Sequence, residues 1–93
     1  MEIKSEHHKT GGKFYFEIDG IEKAHLTYKV SNTHKIIIDH TEVDPSLKGQ
    51  GIGYKLVESS VQYARENGLK IKATCSYANA VLNKKDEFKD VLA

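Results

Sequence analysis

The sequence predicts an α+β domain: four antiparallel strands, one helix crossover to a parallel fifth strand, and a helical tail. Three observations predict it. Apolar and polar residues alternate through the first half, the period turns helical after Gly51, and alternation returns over Leu69–Cys75. Taken in order, Glu2 to Lys9 reads as a modest first strand, and Gly11-Gly12 as the turn after it. Lys13 to Ile18 alternates, with Phe14, Phe16 and Ile18 on one face and Tyr15 and Glu17 on the other. Asp19-Gly20 then signals a tight hairpin, because both residues tolerate positive φ. Ala24, Leu26, Tyr28 and Val30 form the apolar face of a third strand, and Ser31-Asn32-Thr33 closes it. The fourth strand is Lys35 to Val43. Its run Ile36-Ile37-Ile38 lacks alternation, so it is expected to be covered on both faces and central.

Asp44 to Gly49 reads as a loop. In the following segment Ile52, Leu56, Val57, Ser60, Val61 and Ala64 share one half of a helical wheel. Lys55, Glu58, Ser59, Gln62, Arg65 and Glu66 share the other. Asn67-Gly68 ends the helix, with Gly68 as a left-handed C′ residue. Leu69 to Cys75 is the fifth strand, and a helix crossover makes it parallel to the fourth. The tail, residues 76–93, is expected to be helical in two pieces around Asn83-Lys84-Lys85.

At 93 residues the chain is read as a single domain, 1–93. Fourteen basic and thirteen acidic residues give a net charge of +1. That balance argues against a dedicated nucleic-acid or polybasic membrane protein. A single cysteine excludes an internal disulfide. With no apolar run of membrane-spanning length and no signal-like start, a cytoplasmic setting is expected. The linear spacing of histidines and the lone cysteine shows no metal motif, so no metal is expected.

The segment Val43-Asp44-Pro45-Ser46-Leu47-Lys48-Gly49-Gln50-Gly51-Ile52-Gly53 carries the chemistry. Its glycines let backbone approach a ligand, and the free N–H groups of a helix start lie just behind them. Together they make a cradle for an anion such as a pyrophosphate. A P-loop is excluded, because Gly51-Ile52-Gly53-Tyr54 lacks the required Lys-Ser/Thr. A dinucleotide fingerprint fails too, since the third glycine position falls on Tyr54 or Leu56.

Lys48-x-x-Gly51-x-Gly53, following a strand that ends in Val43-Asp44-Pro45, resembles the acetyl-CoA loop of the GNAT acetyltransferase superfamily. With His40-Thr41-Glu42-Val43 before it and Cys75-Ser76-Tyr77 after the fifth strand, residues 13–93 are similar to minimal one-domain GNAT-like proteins. Lys48 stands where that pattern has Arg or Gln. Ala73-Thr74 stands where a proline precedes the cysteine segment. The resemblance implies a mixed sheet whose fourth and fifth strands splay apart, with CoA or acetyl-CoA inserted between them. It implies acetyl-CoA-dependent transfer to a primary amine on a small molecule or a protein. The residues implied to bind the cosubstrate are Thr41, Val43, Lys48, Gly49, Gln50, Gly51, Ile52, Gly53, Tyr54, Asn79 and Lys84.

Four side chains are candidates for the chemistry itself. Cys75 ends the fifth strand beside a helix start, which favours thiolate; it can be a nucleophile that takes the acetyl group or a proton donor to the departing thiolate, and the competing reading is a buried structural cysteine. His40 and Glu42 lie two apart, hence on one strand face unless a bulge intervenes, and either can be a general base. Tyr77 is implied as proton donor to the departing thiolate, or else packs the tail. Beside the enzyme stands a second expectation, a CoA-binding module without turnover that serves as sensor or interaction domain. A monomer or weak homodimer is expected in either case.

Overall fold

The structure, a computed structural model, describes residues 2–93. Five strands form one sheet in the order β1 (Lys4–His8), β2 (Gly11–Ile18), β3 (Ile21–Asn32), β4 (Lys35–Val43) and β5 (Lys70–Ala73). The first four are antiparallel to their neighbours, and β4 and β5 are parallel. Helix α1 (Ile52–Asn67) makes the crossover, and helix α2 (Ser76–Lys84) and a 3₁₀ segment (Asp86–Val91) form the tail. The predicted α+β class and strand directions agree with this architecture.

The local signals behave as their chemistry requires. Asp19 and Gly20 adopt φ of 53° and 77° in the β2–β3 hairpin. Gly68 closes α1 at φ 66°, its N–H bonded to the Ala64 carbonyl. Two turns lie elsewhere than expected. The β1–β2 turn is Lys9-Thr10, and Gly11 and Gly12 are strand residues. A Cβ on Gly11 would stand 2.4 Å from the Tyr28 carbonyl oxygen, and one on Gly12 2.3 Å from that of Glu6. The pair is glycine because neighbouring strands approach closely, not because the chain reverses. The β3–β4 turn is Thr33-His34, where Asn32 Oδ1 accepts the His34 N–H at 2.8 Å.

A single core lies on one face of the sheet. Phe14, Leu26, Tyr28, Ile36, Ile38 and Ile71 point from the strands into it, with Leu56, Val57 and Val61 from α1 and Ala78 and Leu82 from α2. Phe14 pairs with Leu26, Tyr28 with Ile38 and Ile36 with Ile71, so all of these side chains share one side. The expectation that β4 is covered on both faces is therefore corrected: Ile36 and Ile38 are buried, whereas Ile37 is only half-buried. The other face carries Lys13, His25, Thr27, His40 and Glu42. Phe88 and Val91 of the 3₁₀ segment complete the core. Arg65 fixes that segment to α1 by two 2.9 Å bonds to Asp90.

β4 is not regular. Tyr28 pairs with Ile38, but Thr27 pairs with His40, which leaves Asp39 as the extra residue of a β-bulge. β5 pairs with β4 only as far as Ile38↔Ala73. Beyond that, Thr74 and Cys75 both direct their N–H groups to the Ile38 carbonyl, at 2.9 and 3.4 Å, and the chain turns into α2. The fifth strand is thus shorter than the Leu69–Cys75 span expected for it. The two strands part at the bulge.

Candidate active site

The parting of β4 and β5 opens a cavity of about 640 Å³. Its walls are Thr41 and Val43 of β4, the loop residues Pro45, Leu47, Lys48, Gly49 and Gly51, Ile52 and Gly53 of α1, and Tyr77 of α2. Pro45 and Leu47 belong to a 3₁₀ turn capped by Asp44, whose Oδ1 accepts from the Ser46 N–H at 2.9 Å. These two wall residues were missed at the sequence level. The signal for them was a lone apolar residue, Leu47, within a polar loop, and it is buried.

Gly49 and Gly51 have φ of 84° and 73°, where L-residues are strained, and a Cβ at either would meet nothing within 4 Å. These glycines serve backbone conformation at an open surface. Gly51 is the N-cap of α1, and among the described residues no side chain caps that helix. The first-turn N–H groups are left without an internal partner at the positive end of the helix dipole, beside Lys48. This donor set suits a pyrophosphate. Gly53 has a different reason. A Cβ there would lie 2.7 Å from Tyr77 Oη, so its absence seats the tyrosine ring over the start of α1.

Cys75 is the N-cap of α2 and half-buried, its Sγ 3.6 Å from Thr41 Oγ1. Burial pushes its thiol pKa up. Hydrogen bonds from the Ala78 N–H, the Thr41 side chain and the Tyr77 and Thr41 N–H groups outweigh this and leave it below the ordinary thiol value. Tyr77 is raised, by burial and then by the charge of Cys75, so its phenol keeps its proton.

Because of the bulge, Thr41 and Val43 turn to the cavity side of β4, and His40 and Glu42 to the other side. His40 Nε2 lies 3.2 Å from Glu42 Oε2, and both side chains are more than half exposed. The candidate residues thus fall into two groups across one strand: Thr41, Cys75 and Tyr77 on the helix side, His40 and Glu42 on the open side. Other candidates lie outside the cavity. Tyr54 turns its ring toward Phe88, at 6.0 Å between centroids. Gln50 is exposed beside the wall. Asn79 is exposed on α2, held by Asn83 Nδ2 at 3.1 Å, and Lys84 is exposed in the last turn of that helix.

Residues 13–91 match the family of GCN5-related N-acetyltransferases. Protein NATD1 of Xenopus tropicalis and of Homo sapiens are each 29% identical over 76 residues, which is 81% of this chain and 70% and 67% of those proteins. A GCN5-like protein from Staphylococcus aureus, described as a candidate N-acetyltransferase and solved by NMR, superposes with a TM-score of 0.76. It is 40% identical, and the match covers 97% of this chain and 87% of that one. The ribosomal-protein-S18-alanine N-acetyltransferase of Escherichia coli shares the fold at a TM-score of 0.68 and 18% identity, over 84% of this chain and 53% of its own.

Proposed function

The chain belongs to the GCN5-related N-acetyltransferase family, and from that premise we propose that it transfers an acetyl group from acetyl-CoA to a primary amine. The observation that carries this reading is the cavity between the parted strands, lined by Thr41 and Val43 of β4, by the glycine cradle and by Tyr77, whose ring lies over Gly53. The first-turn N–H groups of α1, Lys48 and the backbone of Gly49 to Gly53 would hold the pyrophosphate. Thr41, Val43 and Leu47 would line the pantetheine arm.

Acetyl-CoA supplies the activated acetyl thioester. The Cys75 thiolate forms a new thioester bond to the acetyl carbon as the bond from that carbon to the CoA sulfur breaks, and Tyr77 Oη gives its proton to the departing sulfur and regains one from solvent. The amine then forms a bond to that carbon and breaks the link to Cys75. It loses a proton to His40 Nδ1, whose ring is oriented by the Nε2 contact with Glu42. The support for this order is the lowered thiol and the division of these groups across β4. Donor and acceptor would approach from opposite faces of the sheet.

Calorimetric titration with acetyl-CoA tests the first half. One site per chain is expected, and no binding overturns the reading. Free-thiol release over a panel of amines tests turnover. Binding without release for any amine would favour the non-catalytic module instead.

A further inference from the structure

The geometry points to a divalent-metal site on the open face of the sheet, formed by His25, His40 and Glu42 and suited to zinc. His25 of β3 lies directly opposite Glu42 of β4, and His40 is the next residue of β4 on that face. One ligand atom from each of the three lies within 4.8 Å of the others. The two imidazole rings are 5.5 Å apart between centroids. Zinc bonds of about 2 Å require a closer approach than this. His40 and Glu42 are largely exposed, so side-chain rotation supplies it without moving the backbone.

A further feature concerns how His25 is held. Its Nδ1 is 3.1 Å from Glu22 Oε2, which leaves Nε2 as its free nitrogen. Glu22 is itself held by Lys13 through its other oxygen, at 2.5 Å. A carboxylate that fixes one imidazole nitrogen and thereby frees the other is the usual support of a metal-binding histidine. Two imidazoles and one carboxylate suit zinc better than calcium or magnesium, which take oxygen ligands. The exposed side of the cluster leaves a fourth position for water.

The linear sequence hides this site. Positions 25, 40 and 42 form no motif, and only the β3–β4 register, corrected by the bulge at Asp39, brings them together. Zinc held there would engage His40 and Glu42, so metal binding and deprotonation of an amine by His40 would exclude each other. The site itself rests on sheet register and not on the acetyl-transfer reading, and a measurement of binding alone separates the two.

The test is calorimetric titration of the chelator-treated full chain with zinc chloride. One zinc per chain is expected. His25→Ala should abolish this binding. Glu22→Gln, which touches no metal, should weaken it at least tenfold. His8→Ala and His34→Ala should leave it unchanged. Circular dichroism checks that each variant is folded, and His25→Gln replaces His25→Ala if that variant is not. Absence of a zinc site in the wild type would overturn the inference, and so would His25 variants that bind as wild type. Loss of binding in Cys75→Ala, with His25→Ala intact, would overturn it as well.

Discussion

Cys75 sits where a strand becomes a helix, and two opposed influences meet on its sulfur. Burial disfavours the thiolate, whereas the α2 N–H groups and Thr41 favour it more strongly. The thiolate fraction therefore rises at lower pH than for a free cysteine. Alkylation by iodoacetamide should reach half its maximal rate below the pH seen for a cysteine peptide. Cys75→Ala should lower acetyl transfer about 100-fold or more, as loss of a nucleophile does, with acetyl-CoA affinity unchanged. Mass spectrometry without amine should find one acetyl group on the wild type and none on the variant. Gly51 gives the complementary case. Asp tolerates its left-handed conformation, so Gly51→Asp should fold. Its carboxylate would oppose a pyrophosphate at the helix start, and calorimetry should read at least a tenfold loss of acetyl-CoA affinity, on the order of the ~1.4 kcal/mol a factor of ten represents.

The 3₁₀ segment Asp86–Val91 is anchored by Phe88, Val91 and the Arg65–Asp90 pair. Arg65 donates to Asp90 and holds its carboxyl below the usual carboxylate range. The pair's contribution is complete above the ordinary Asp pKa of about 3.9. It is lost as pH falls through the lower folded value. Arg65→Ala should remove that acid dependence and speed hydrogen exchange in residues 86–92, with α1 unaffected. At this scale the strands, α1 and its glycine stop were legible in the sequence, because alternation, helical period and the Asp19-Gly20 turn are local signals. Gly11-Gly12 was misread because a glycine pair that admits a neighbouring backbone looks the same as one that reverses the chain. The triple isoleucine was misread because a run of apolar residues does not reveal how many faces are covered.

Across the whole molecule one core supports both the sheet and the cavity wall. Leu56 is fully buried at its centre. Leu56→Ala should cost about 3 kcal/mol, a large share of the roughly 5–10 kcal/mol available to a domain of this size. Urea denaturation followed by fluorescence and by circular dichroism should show one coincident transition at lower midpoint. The candidate site was legible where its residues are adjacent in sequence, as in the glycine loop. It was not legible where pairing between distant strands decides the outcome, as for His25 against Glu42, or for the separation of His40 from Thr41. Alternation counted through Asp39 would put His40 and Glu42 on the core face with Ile36 and Ile38, and the bulge reverses this. A chain with Asp39 deleted would keep every later side chain of β4 on its present face, since the register with β3 already skips that position. What it would lose is the bend. β5 would then face a straight strand beyond Ile38, with only Thr74 and Cys75 left to pair before α2 begins. One omitted codon would thus narrow the gap beside Thr41 without touching any residue that lines the cavity.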